Sequence, residues 1–225
     1  MKHVHLDERF LEADSVAPGQ SRGYAATGKR ALDIALGLAL VPFVVPLVVL
    51  LGFLVWIRDG AMPLFGHERI GRDGKPFHCW KIRTMVPDAA QRLKAHLASD
   101  PAAAAEWEAD HKLTHDPRIT PIGAFLRRTS LDELPQLWNV LNGEMSFVGP
   151  RPVTEEELVK YGAARGAYCR MRPGITGLWQ SSGRNEVTYG ERVQLDLDYL
   201  ASIGFLRDLS IILRTGLVVV RPTGR

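Results

Sequence analysis

Apolar residues are distributed along this chain in a few distinct patterns. From Ile34 to Ile57 no charged residue occurs, a run of about 24 positions that would measure about 36 Å as a straight helix, enough to span a hydrocarbon core. Pro42 and Pro46 lie one turn apart in the middle of it and remove two helix-interior N–H donors, which favours a break. Lys29 and Arg30 flank one end and Arg58 and Arg69 the other, so positive charge sets no orientation. Asp33 sits just inside the N-terminal edge. Composition alone fits either a single spanning helix or a broken helix that enters and leaves by one leaflet.

Beyond that run the period changes. Leu64–Ile70 and Pro76–Arg83 flank the turn Gly71-Arg72-Asp73-Gly74 and read as a β-hairpin, with Lys81 and Arg83 two apart on one strand. From Pro87 to about Leu113 the pattern is helical, interrupted at Asp100-Pro101. Leu131, Leu134, Leu137, Trp138 and Leu141 form one helical face, and Ser130 and Glu133 have the spacing of a capping box. Pro135 fits near the first turn of such a helix. Short helices are expected at Glu155–Tyr161 and Leu195–Leu200, and a longer one at Leu206–Val220 that suits a membrane surface. Residues 1–28 are polar, lack periodicity and read as a flexible tail. The expected fold is therefore α+β and helix-dominated, with one small hairpin.

Charge and cysteine content narrow the chemistry. The formal net charge of +3 in 225 residues lacks the basic stripe of a nucleic-acid binder. Two cysteines, Cys79 and Cys169, with no C-x-x-C pair, argue against a disulfide framework or structural zinc site and fit a reducing compartment. No phosphate-binding G-x-x-x-x-G-K-[ST] loop occurs, so ATP chemistry is unsupported. The candidate chemistry is instead the adjacent pair Asp132-Glu133, just after Arg127 and Arg128. Acidic residues are ordinary in a first helical turn. The same helix start, with its unpaired N–H groups and two arginines, also suits a phosphate. Lys81 and Arg83 read equally as a charged strand edge or as phosphate-facing groups, and Ser182-Gly183-Arg184-Asn185 is a turn able to read a uracil, ribose or phosphate.

Several ordered motifs decide between these readings. They are K-R-A-L-D (Lys29–Asp33), K-I-R-T-M (Lys81–Met85), the Asp132-Glu133 segment, Gly149-Pro150-Arg151-Pro152, R-P-G-I-T-G-L-W-Q (Arg172–Gln180), S-G-R-N (Ser182–Asn185) and Q-L-D-L-D-Y (Gln194–Tyr199). From Lys29 onward the chain resembles the bacterial sugar transferase family, the monotopic phosphoglycosyl transferases. Glu106-Trp107 and Asp116-Pro117-Arg118, with L-D-E-L-P-Q-L, are most similar to members that load galactose phosphate for exopolysaccharide.

The resemblance implies transfer of a hexose-1-phosphate, galactose or glucose, from a UDP-sugar to undecaprenyl phosphate, releasing UMP. It makes Asp132 and Glu133 the catalytic dyad, with Asp132 the nucleophile and Mg²⁺ held between the dyad and the diphosphate. It places Lys81, Arg83, Arg127, Arg151, Arg184, Asn185 and Asp196 in or near the substrate site. It also implies re-entry over residues 29–58 with the break at Pro46, where Val45 replaces the family's frequent Ser. Residues 59–225 would then form a catalytic domain on the cytoplasmic face of the inner membrane, in contact with its lipid. A non-catalytic adaptor of polysaccharide assembly is the alternative. The sugar and any homo-oligomer stay open at this level.

Overall fold

A computed structural model describes residues 23–110, 113–182 and 187–220. Most of the expected tail, together with Arg184 and Asn185, lies outside the described residues. The part of that tail from Tyr24 to Gly28 is a π-helical turn leading directly into α1 (Lys29–Asp59), so the helical region begins earlier than the pattern suggests. α1 continues through both Pro42 and Pro46. The expected helix–break–helix is therefore one helix, in which the prolines withhold two donors without interrupting it. It ends at Gly60, whose φ of 67° supplies the left-handed turn a helix C-cap needs.

The two ends of α1 are held by the same body of protein. At the N-terminal end, Arg30 donates to the carbonyls of Val140 and Leu141 (2.5 and 2.7 Å). Asp33 accepts there from the Ser146 hydroxyl and the Phe147 amide, both at 3.0 Å. Lys29 and Tyr24 both bond the buried Asp208, at 2.7 Å each. Towards the C-terminal end, Leu51 and Val55 pack into one cluster with Ile82 and Leu126. The outward face between these anchors is apolar and exposed, with Phe43 at 73% and Val49 at 65%.

The hairpin forms where the alternation places it. β1 (Leu64–Ile70) pairs antiparallel with β2 (Pro76–Ile82), and Phe65 lies opposite Lys81. Next come α2 (Ala89–Ser99) and α3 (Pro101–Asp110). They divide at Asp100, whose carboxylate accepts from the amides of Ala102 and Ala103. α4 (Pro121–Thr129) starts on a Thr120 cap followed by Pro121, a favoured helix opening.

Ser130 overturns a local reading. It ends α4 in a left-handed conformation, φ 56°, and its hydroxyl caps nothing. Leu131–Glu133 is a 3₁₀ turn, and α5 (Gln136–Asn142) begins after Pro135. No Ser130–Glu133 capping box forms, because the chain is leaving one helix there rather than entering another. The capping boxes among the described residues are at Thr154–Glu157 and Thr188–Glu191, heading α6 (Glu155–Val159) and α8 (Tyr189–Ala201).

A second sheet, absent from the sequence-based expectation, pairs β3 (Ser146–Val148) in parallel with β4 (Gly174–Thr176). Between them come α6 and α7 (Arg165–Cys169). Gly149 is required at this crossing, since a Cβ there would lie 2.3 Å from the Arg172 carbonyl. The G-P-R-P motif is thus wedged against the Arg172–Gly174 backbone. α9 (Phe205–Val220) closes the fold and exposes Leu206, Leu213 and Leu217.

Candidate active site

A cavity of about 1100 Å³ opens between the hairpin, the 3₁₀ turn and the middle of α1, where Leu40 and Val44 contribute to its wall. Volumes of this order accommodate a nucleotide-sized ligand. Asp132 lines it and is 8% exposed. Burial pushes its carboxyl above the ordinary 3.8, opposed by the positive charges of Lys81 and Arg127 and reinforced by Glu133. Lys81 reaches across from β2 to Glu133 at 2.6 Å. This ion pair ties hairpin to dyad and fixes Glu133, while no cation among the described residues lies at hydrogen-bond distance from Asp132.

The remaining sequence-predicted residues divide. Arg127, on the last turn of α4, lines the cavity and donates from Nε to the Thr84 hydroxyl at 2.9 Å, leaving the outer part of its guanidinium free of that bond. Arg151 lines it from the G-P-R-P segment. Arg83 also borders it, but its fork closes on Asp59 (3.0 and 2.6 Å) and on the carbonyls of Ala61 and Met62. It lies just past the end of β2, where the chain leaves the ladder, and there it clamps α1 to the hairpin. A substrate phosphate would have to break that clamp.

Asp196 is not among the cavity residues. It is 2% exposed on α8, and its carboxylate accepts from the Tyr161 hydroxyl at 2.8 Å. Burial raises its pKa to about 7, against the lowering effect of that bond. It belongs to the aromatic core of Tyr161, Tyr168 and Tyr189. The helix start expected at the dyad is not there, because Leu131–Glu133 is a 3₁₀ turn and α5 begins only at Gln136, four residues after Asp132.

Two lining residues escape a reading from motifs alone, His67 and Arg69. Both lie on β1 with Phe65, and the alternation of a strand puts all three on one face. That alternation was the available signal. Arg69 otherwise reads only as a cationic flank of the apolar run.

Oxygen donors of the right kind for Mg²⁺ are present. Asp132 offers a carboxylate inside the cavity, and Glu133 keeps a second carboxylate oxygen beyond the one bonded to Lys81. No group of three or more metal-ligating side chains occurs among the described residues. Mg²⁺ commonly needs only one or two carboxylates when substrate phosphates and water complete its shell, so the dyad fits such an ion.

Comparison with known proteins matches residues 24–222 to the family described as bacterial sugar transferase. The chain belongs to that family. It is 50% identical over 196 residues to the UDP-galactose-lipid carrier transferase of Erwinia amylovora, covering 87% of this chain and 41% of that protein. It is 48% identical over 196 residues to the undecaprenyl-phosphate galactose phosphotransferase of Salmonella typhimurium, with the same two coverages. Against the exopolysaccharide production protein ExoY of Rhizobium meliloti the identity is 46% over 198 residues, 88% of this chain and 87% of that protein. The chain thus spans about two fifths of the first two relatives and nearly all of the third.

Proposed function

We propose that this sugar transferase moves a hexose-1-phosphate, galactose or glucose, from a UDP-sugar to undecaprenyl phosphate. The products are undecaprenyl-diphosphate-sugar and UMP, the opening step of exopolysaccharide assembly. The observation that carries this reading is Asp132, a buried carboxylate facing a cavity whose wall combines cations with residues of an apolar surface helix. A water-soluble diphosphate and a lipid-borne phosphate can meet only at such a boundary. A filled set of charged groups around an open cavity favours turnover over a purely scaffolding adaptor.

Asp132 acts as nucleophile. Its carboxylate oxygen bonds to the β-phosphorus of the donor, the bond from that phosphorus to the bridging oxygen breaks, and the electron pair leaves on UMP. The phosphate oxygen of undecaprenyl phosphate then attacks the same phosphorus and releases the Asp132 carboxylate. Lys81 and Arg127 hold phosphoryl oxygens against their mutual repulsion, and the Lys81 bond orients Glu133. Mg²⁺ bound by Asp132 and Glu133 would neutralise charge on the diphosphate.

Re-entry of α1 is part of the proposal. The anchors of its two ends, Arg30 on Val140 and Leu141 and Asp59 on Arg83, belong to one body. A spanning helix would separate its ends by about 30 Å of hydrocarbon, whereas one that bends near Pro42 and Pro46 returns both to the cytoplasmic face of the inner membrane. The exposed apolar side chains of α1 and α9 would then rest in lipid.

The test is stoichiometric. Purified protein given UDP-galactose or UDP-glucose without lipid should release about one UMP per site, the signature of a two-step exchange through an enzyme-bound intermediate. Intact mass should show a hexose-phosphate adduct on Asp132. Release that requires the lipid from the start, with no adduct, overturns the two-step route. Excess EDTA should stop UMP release and Mg²⁺ should restore it; undiminished turnover in chelator removes the metal.

A further inference from the structure

The cavity wall holds two guanidinium groups that the reaction as described does not use. Arg69 projects from β1, its side chain 17% exposed, and its nearest carboxylate oxygen, on Glu157, is 3.9 Å away, beyond hydrogen-bond distance. Arg151 lines the same cavity and adds like charge beside it. Among the described residues neither donates a hydrogen bond. Arg69, taken largely out of water with no acceptor at hydrogen-bond distance, is costly to bury, and with the exposed Arg151 adding like charge the wall suits an anion. Burial accordingly lowers the pKa of Arg69 from its ordinary value.

Position says which anion. Lys81, which bonds the dyad, lies opposite Phe65 at the base of the hairpin, whereas Arg69 lies opposite Phe77, nearer the tip. The separation is four residues, about 13 Å along the strand. The base packs near α1 and the tip against α7, so the face runs from apolar Phe65 through neutral His67 to cationic Arg69. An in-line displacement puts the leaving group on the side of the phosphorus opposite the nucleophile, here away from Asp132.

We infer that Arg69 and Arg151 form the leaving-group clamp, a site for the phosphate of a nucleoside monophosphate. This rests on the transfer activity proposed above. When the bond between the β-phosphorus and the bridging oxygen breaks, its electron pair stays on that oxygen of UMP. The two guanidiniums neutralise the new charge, and no proton needs to move. A bidentate fork suits a phosphate better than an ammonium does.

The test is binding of UMP and of uridine to the full chain in lipid nanodiscs, followed by each half-reaction separately. Arg69→Gln should weaken UMP about 10- to 100-fold, the scale of a lost charge-assisted bond, and leave uridine unchanged. Arg69→Lys should fall between. UMP release from the donor should slow, while transfer from preformed adduct to undecaprenyl phosphate should keep its rate. Arg151→Gln, at an exposed position that burdens the fold less, should show the same selectivity. Unchanged UMP affinity in both Gln variants, or equal losses for UMP and uridine, overturns the clamp. Wild-type protein that releases no UMP from either donor overturns the transfer activity instead.

Discussion

Asp132 and Asp196 make an instructive pair. Both are buried, and burial pushes both carboxyls upward. Asp132 sits on a 3₁₀ turn in a cavity wall, where Lys81 and Arg127 pull its pKa back down. Asp196 sits inside an α-helix with a tyrosine hydroxyl as its bonding partner and, among the described residues, no cation opposing the burial. The first can be an anion that meets substrate. The second, with its pKa raised to about 7, is about half protonated near neutral pH and ties α8 to Tyr161. Desolvation alone does not separate the two; access to the cavity and nearby positive charge do.

Asp132→Asn and Asp196→Asn separate the two most sharply. Asp132→Asn should lower turnover by about a thousandfold or more, because the amide cannot form the phosphoryl bond, with the melting temperature unchanged or slightly raised. Asp196→Asn should keep turnover within a few-fold, since Asn can still accept from Tyr161. A UMP-release assay beside thermal melting checks both, and a dead Asp196→Asn with an intact melt would return Asp196 to the site.

The pH dependences should differ in kind. As the proposed nucleophile Asp132 must be ionised, so the acid limb of donor-only UMP release should lie above pH 3.8, activity falling as pH drops through the raised pKa. Asp196 affects stability. Its pKa is about 7 folded against an ordinary 3.8, so between those values the folded state binds the extra proton. The contribution of Asp196 to stability is then fully present below 3.8 and is lost as pH rises towards about 7. In Asp196→Asn that decline should be smaller, measurable as a flatter melting temperature from pH 5 to 8.

Tyr161→Phe gives the smallest effect. It removes the hydrogen bond from Tyr161 to Asp196 and should cost about 1–3 kcal/mol, the penalty of leaving a buried acceptor unmet. Denaturant titration measures the loss, and UMP release per folded molecule should stay at the wild-type value. A fall in that rate without a stability change would tie Tyr161 to the chemistry.

The sequence alone determined much of this protein. The hairpin follows from alternation around a Gly-Arg-Asp-Gly turn, the α2–α3 division from Asp100-Pro101, and the long apolar helix from 24 uncharged positions. The family was carried by ordered motifs. These are local properties, set by period and by residues within a few positions. Ser130 shows where local rules stop, since S-x-x-E marks a helix start only if the chain has not just finished a helix, and here α4 ends there. Only the tertiary structure decided which charges share a cavity. Lys81 meets Glu133 across 52 residues and Arg83 meets Asp59 across 24, while Asp196 turns into a tyrosine core. A charged side chain has several partners within reach of its length, and packing of distant elements selects among them.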